Sequence, residues 1–294
     1  VTVVEDASVD LVSPRARRRR VIRRRLARRP GAILGFAVAA TFILAAILAP
    51  VIAPYSPSAT DFDSLLAKPS WDHLLGTDEL GRDILSRLIW GARASIQAGV
   101  LATCLAMAIG VPIGLVAGYY RGWIDPVISR VTDVVLAFPF LILAVGLAAI
   151  LGPSLLNATI ALGVGAAPGF VRVARGETLA LREEDYVRAA IANGAGDATI
   201  IFRHIVPNMS STLLVQATVT IPAAIIGEAV LSFLGLGVQP PTPSWGVMLA
   251  DAQSYLSEAP RLAVYPGLAI FICALAFNLL GDGLRDVLDP RTTR

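Results

Sequence analysis

Apart from carboxylates and hydroxyls, few side chains in this 294-residue chain are equipped for covalent or acid–base chemistry: His73 and His204, Cys104 and Cys273, and one lysine, Lys68. A nucleophile activated by an imidazole needs both groups within hydrogen-bond reach. The topology derived below puts the two histidines on opposite sides of a membrane, which leaves neither a Ser–His nor a Cys–His pair. The cysteines lie in separate apolar runs, with neither disulfide nor metal-site spacing, and read as packing residues. A phosphate-binding loop places lysine after a glycine-rich turn, whereas Lys68 stands between Ala67 and Pro69. No enzyme site is visible, and an ATP motor within the chain is excluded.

Two carboxylates invite a different reading. Glu228 has only uncharged residues from 220 to 227 before it and from 229 to 237 after it. A charge at mid-bilayer costs about 2.5–3.5 kcal/mol on insertion scales, so it should face a helix bundle or a watery path. Glu228 reads as a pathway or gate residue, the alternative being a structural polar contact. Asp133, nearer the end of its apolar run, reads the same way or as the i,i+3 partner of Arg130.

The elements that position these residues follow from composition. The chain is 55% hydrophobic and only 16% charged, with a mean hydropathy of +0.67, where soluble domains carry roughly 25% charged residues. Apolar runs near the length of about 20 residues that crosses a bilayer occur at 31–53, 94–119, 126–151, 154–176, 211–236 and 263–284. The fold expected is an all-α integral membrane protein of six transmembrane helices. Its parts are a basic tail at 1–30, an N-terminal helix with an external amphipathic segment at 31–91, and a five-helix core at 92–290. The net charge of +3 comes from the tail, where Arg15, Arg17 to Arg20, Arg23 to Arg25, Arg28 and Arg29 cluster, so it describes no nucleic-acid surface. The first apolar run follows those arginines as a signal peptide would, but it exceeds the usual 7–15 residues and ends at no clear cleavage site. A retained anchor is expected.

Lysine and arginine bias orients the spans. With the tail inside, 20 of the 25 basic residues fall inside, and only Lys68, Arg82, Arg87, Arg93 and Arg261 fall outside. Both termini are then cytoplasmic. Trp71, Trp90, Trp123 and Trp245 flank apolar runs, where amphipathic rings are best solvated.

The longest cytoplasmic loop, 183–207, has the clearest local grammar. Glu183, Glu184 and Asp185 suit a first helical turn, and Asn193-Gly194 suits a left-handed C-cap. Asp197 then offers an N-cap for a second short helix that Pro207 closes. Val187, Ala190 and Ile191 would share one face of the first helix, and Ile200, Ile201 and Ile205 one face of the second. Such a pair is a knob that a soluble partner could grip, or an interfacial loop with no partner. A DNA-reading helix-turn-helix needs a third packed helix, for which the loop has no room. Outside, residues 77–90 predict an amphipathic helix capped by Thr77 or Asp78, serving as an interfacial anchor or as a docking surface.

The loop resembles the Glu-Ala-Ala motif of binding-protein-dependent ABC permeases. Ala189, Ala190, Gly194 and Pro207 match it, while Arg188 stands where glutamate is usual, His204 replaces an apolar residue and Val206 replaces leucine. Further segments are similar to the dipeptide, oligopeptide and nickel subfamily: Leu75-Gly76-Thr77-Asp78 with Gly81-Arg82-Asp83, Phe138-Pro139, Leu231 to Gly237 with Pro240-Pro241, Ser244-Trp245-Gly246, and Asn278 to Asp286. The resemblance runs from about residue 20 to 291 and is greatest to the "C" membrane subunit. It implies a non-catalytic permease subunit of an importer in the bacterial inner membrane, forming half of a pathway for peptides or related solutes. The implied partners are a homologous second permease subunit, two cytoplasmic ATPases, an external solute-binding protein and lipid, with no nucleic acid. No cofactor is expected in this chain, ATP and magnesium being bound by the ATPases. Asp185, Tyr186, Arg188, Ala189, Ala190, Gly194, Ile205 and Pro207 are the implied ATPase-coupling residues. Thr77, Asp78, Arg82 and Asp83 are the candidates for external docking. A stand-alone secondary transporter or channel is the alternative, which several intramembrane ionisable groups or an inverted repeat would favour.

The orientation is testable with single cysteines in a background lacking Cys104 and Cys273. Cysteines at Asp63 and Thr242 should react with an impermeant thiol reagent added outside. Labelling of a cysteine at Glu184 from outside alone would reverse the topology.

Overall fold

The structure is a computed structural model that describes residues 30–288. The arginines of the tail, Arg291 and Arg294 lie outside the described residues. Within them the helices are, in order, α1 (Pro30–Ile52), α2 (Ile84–Tyr120), α3 (Ile124–Ala137), α4 (Phe140–Leu151), α5 (Leu155–Arg182), α6 (Asp185–Ala192), α7 (Asp197–Phe233), α8 (Trp245–Ala252) and α9 (Arg261–Leu288). Five of them (α1, α2, α5, α7 and α9) are long and apolar enough to cross a membrane, and the bent α3–α4 pair supplies a sixth crossing if it counts as one.

Three expectations are corrected, each for a local reason. Residues 77–90 are not a separate amphipathic helix: Gly76 and Gly81 have φ of +80° and +72°, so 77–83 form a tight turn closed by a Thr77–Asp83 bridge. Asp83, not Thr77 or Asp78, then caps α2, its carboxylate accepting the Ser86 N–H at 2.8 Å, and the helix runs on for 37 residues. The run at 126–151 breaks at Phe138, which is extended (φ −80°, ψ 135°) because the following proline disfavours the helical region. Its halves meet at 89°.

The second short helix after Gly194 does not exist as a separate element. Pro207 lacks an N–H and its ring crowds the preceding turn, and the chain answers by widening to a π-helix over Ile200–Ile205. The Val206 N–H reaches back to the Ile201 carbonyl, so one helix continues from Asp197 to Phe233. Pro207 sits in the first turn of its α-helical part and closes nothing.

Small residues decide how the spans pack. Gly110, Gly114 and Gly118 recur at i,i+4 spacing and set one face of α2 directly on α5. A methyl group on Gly114 would lie 2.5 Å from the Val171 carbonyl oxygen and 2.7 Å from Ala174 Cβ. Lipid is as apolar as leucine, so association within it depends on close backbone approach rather than on the hydrophobic effect. On the far side α1 lies antiparallel to α9, where a methyl on Gly283 would meet Ala32 Cβ at 2.2 Å.

These contacts give the bundle two ends. At one, Tyr119 near the end of α2 meets Asp197, and α6, the start of α1 and the end of α9 lie at this end. At the other, Arg261 at the start of α9 donates to the Leu66 carbonyl at 2.7 Å, and residues 53–83 and α8 form a cap.

Replacing Gly114 with valine should cost about 1–3 kcal/mol by overpacking, read as a lower unfolding temperature of the solubilised chain. Gly146→Ala, where no atom lies within 4 Å of the added methyl, should be neutral or stabilising by up to about 1 kcal/mol.

Candidate functional site

At the loop end, α6 is short, and its termini are fixed by hydrogen bonding. Asp185 lies in the first turn, where a carboxylate suits the helix dipole. At the other end Gly194 has φ +79°. Its N–H bonds the Ile191 carbonyl at 2.9 Å, and the Ala195 N–H bonds the Ala190 carbonyl at 3.1 Å. This crossed pair is a Schellman cap, as the Asn193-Gly194 pair predicts. No atom lies within 4 Å of a methyl built on Gly194, so backbone conformation alone requires glycine there.

The loop is fastened to the spans by both apolar and polar contacts. Val187, Ile200 and Ile205 are buried with Phe170, Ala174 and Met209. The Tyr119 hydroxyl donates to Asp197 at 2.8 Å, so Asp197 is a tether and not the N-cap expected. The Arg182 guanidinium donates to the Tyr119 carbonyl and stands 5.1 Å from its ring centroid. Glu183 takes Arg121 at 2.6 Å and also Arg188. Arg188 first, then Arg121, hold its carboxyl down at about 2. The unusual arginine is thus matched by a carboxylate five positions earlier. Both partners are exposed, so the contact orients more than it stabilises.

What the loop shows to solvent differs in part from the expectation. Tyr186, Arg188, Ala189, Ile191, Gly194, Phe202 and Pro207 are exposed, and Ala190 is half-buried. Ile191 does not share the buried face of Val187. Ile205 is fully buried and anchors the loop from beneath, where a partner cannot touch it.

The cap end holds a cluster of charges. Asp78 accepts the Arg82 Nε at 2.6 Å and lies 3.3 Å from the Arg87 Nε. Arg82 also pairs with Glu79, and both arginines reach Asp251 of α8, at 3.3 and 3.2 Å. Asp83 Oδ1 lies 3.0 Å from His73 Nδ1 and accepts its N–H in the tautomer that carries the proton there. Thr77 donates to the Ser64 carbonyl and accepts the Ala67 N–H. Thr77, Asp78, Arg82 and Asp83 are all buried. Their expected role as external docking side chains is therefore corrected: they hold the cap onto α2 and α8. Three carboxylates face two guanidiniums, and burial together with Asp78 pushes the Glu79 carboxyl above its ordinary value.

Glu228 is fully enclosed within the chain. It accepts from Ser95 of α2 and Ser232 of α7, each at 2.6 Å, and the Ser232 hydroxyl accepts the Val238 N–H at 2.9 Å. The pathway-facing expectation gives way to the structural one, because an enclosed carboxylate held by hydroxyls of α2 and α7 faces no open path. Trp245 is likewise buried, its indole N–H reaching the Leu88 carbonyl at 3.1 Å. Asp133 pairs not with Arg130 but with Arg172 of α5 at 2.9 Å. A short sequence pattern cannot show a partner on another helix. Arg87, Tyr119, Arg172 and Asp251 carry no local sequence signal for that reason, whereas the Gly110, Gly114, Gly118 spacing does.

Comparison with known proteins extends the picture over most of the chain. Residues 110–294 match the family described as binding-protein-dependent transport system inner membrane component. Residues 18–69 match the N-terminal TM domain of oligopeptide transport permease C. A dipeptide transport system permease protein of Alkalihalophilus pseudofirmus is 45% identical over 260 residues, covering 88% of this chain and 86% of the relative. A glutathione transport system permease protein of Escherichia coli O157:H7 is 48% identical over 250 residues, covering 85% and 82%. In fold, the chain is similar to the inward-facing MetNI methionine ABC transporter, with a TM-score of 0.59 at 20% identity, covering 69% of this chain and 97% of that one.

Asp78→Asn should cost about 3–5 kcal/mol, because it leaves the buried Arg87 short of a partner. Glu79→Gln should be neutral or mildly stabilising at pH 7, since it removes the excess carboxylate. Thermal unfolding of the solubilised chain separates the two, and equal losses would refute this account of the cluster.

Proposed function

The chain belongs to the binding-protein-dependent transport system inner membrane components, and from that premise we propose that it forms half of the translocation pathway of an ATP-driven importer. It is an ABC importer permease subunit of the dipeptide, oligopeptide and glutathione group. Its substrate is a short peptide or a related small solute, delivered by an external binding protein. A homologous second permease subunit completes the pathway, and two cytoplasmic ATPases drive it. Both termini lie on the ATPase side, where the sequence concentrates arginine.

The observation that carries this reading is the way the 185–205 loop is built. Its outer face offers Tyr186, Ala189, Ile191, Gly194 and Phe202, while its inner face is locked to α2, α5 and α7. A force applied by a bound ATPase would reach three spans at once through Val187, Ile205 and the Tyr119–Asp197 bond. The binding energy of ATP would be spent in the partner subunits. The residues here do not fit the nucleotide: Lys68 is at the cap end, between Ala67 and Pro69, and no glycine-rich turn precedes it. ATP and magnesium are therefore assigned to the ATPases, and no step of hydrolysis is derived for this chain.

Gly194→Val tests the reading. The left-handed backbone there costs a β-branched residue roughly 1–2 kcal/mol, enough to lower occupancy of the turn about 5–30-fold. Membrane insertion should persist while copurification of the ATPases weakens, or hydrolysis proceeds without uptake in proteoliposomes. Arg188→Ala should be milder, because only an exposed pair is lost. Normal assembly and uptake by the Gly194→Val chain would remove the coupling role from this loop.

A further inference from the structure

A cavity of about 150 Å³ opens between α3 and α5, lined by Ser129, Thr132, Asp133, Val171, Arg172 and Arg175. Two ion pairs join α3 to α5 here, and they are built differently. Arg175 grips Asp125 with two prongs, Nε to Oδ1 and Nη2 to Oδ2. Arg172 and Asp133 share a single contact at 2.9 Å, and their side chains are 63% and 57% exposed. A guanidinium has five donors and a carboxylate about four acceptor sites, so most of the capacity of this second pair is unused.

The position of the pair restricts what it can face. α5 has 28 residues and rises about 42 Å at 1.5 Å per residue, against a hydrocarbon core of about 30 Å. Arg172 lies ten residues before the end of α5, about 15 Å along its axis, and so falls in the cytoplasmic half of the bilayer yet within the hydrocarbon thickness. A charge at that depth faces a bundle interior or a water-filled path, not lipid.

We propose that Asp133 and Arg172 form a transit subsite for a short zwitterionic peptide, Arg172 taking its carboxylate and Asp133 its ammonium group. The proposal rests on the importer reading and names the ligand chemistry of its pathway. Asp125, Asp133, Arg172 and Arg175 sum to no net charge, which a membrane-embedded cavity tolerates best. A zwitterion replaces each member of the open pair by a like charge, so neutrality is kept on entry and on exit. A simple anion or cation would leave one side chain unpaired. Because the two side chains compete with the ligand for each other, the site binds weakly and releases readily, as conduction requires. The two-pronged Arg175–Asp125 pair stays closed and braces α3 against α5.

The test uses the complete importer in proteoliposomes, with its second permease subunit, ATPases and binding protein, and a dipeptide with free termini carrying a photoreactive diazirine side chain. Illumination during turnover should place adducts on residues 125–137 or 171–175 of this chain. The adducts should fall about tenfold or more with Arg172→Gln, the loss expected for one charged hydrogen-bonded contact. In the Asp133→Asn/Arg172→Gln double variant, uptake should fall by a similar factor while ATPase association and binding-protein-stimulated hydrolysis stay within about twofold. A pair that only braces two helices would tolerate this double neutral change, so normal uptake would overturn the proposal. Adducts confined to the second permease subunit, to lipid or to other parts of this chain, while uptake proceeds, would also overturn it and leave the importer reading standing. Should the assembled complex take up no dipeptide at all, both would fall. The adduct map of the unaltered chain decides the matter even where a variant fails to assemble.

Discussion

The contact of α2 with α5 is the constraint from which the rest of the structure hangs. Within a bilayer, apolar side chains gain little by leaving lipid for protein, so helices join where their backbones can come close. Gly110, Gly114 and Gly118 allow this on α2, and Ala167, Val171, Ala174 and Thr178 complete it on α5. The helix so held is 37 residues long and reaches both ends of the bundle. Asp83 and Arg87 serve the cap from one end of it, Ser95 meets Glu228 of α7 further along, and Tyr119 serves the loop from the other end.

Polar groups finish what close packing begins. Buried polar groups near α2 have partners on other elements: Arg87 with Asp78 and Asp251, Glu228 with Ser95. An enclosed charge without a partner would be far more costly than the pair itself, so these groups specify one arrangement of cap, α7 and α8. The Asp133–Arg172 pair differs from them in being open. That difference, not the mere presence of charge, separates a transport candidate from a structural clamp.

Much of this was legible in the sequence. Hydropathy located the middle of the five long spans, and Asn193-Gly194 gave the cap of α6, because both signals are local. Span ends were less legible, since α2 and α7 continue as helix well beyond their apolar stretches, held by Asp83 in one case and by a π-turn in the other. The partners of Glu228, Asp133 and Asp78 were out of reach, because they sit on helices distant in sequence. Burial of Thr77, Asp78, Arg82 and Asp83 escaped notice because a charged, glycine-punctuated segment reads as surface until its countercharges are known. The helical break at Phe138 is a milder case, for Pro139 announced it and the continuous apolar run concealed it.

The central claim is that the 185–205 loop and the spans move as one body, so that force at the loop reaches the pathway. Ile191 on α6 and Leu156 at the far end of α5 are both exposed and can carry spin labels in the assembled importer. Distances between them, measured by pulsed electron resonance in nucleotide-free and ATP-bound states, should stay constant while distances to the second permease subunit change. A shift of several ångströms between Ile191 and Leu156 on ATP binding would show the loop moving on its own spans and would contradict the account.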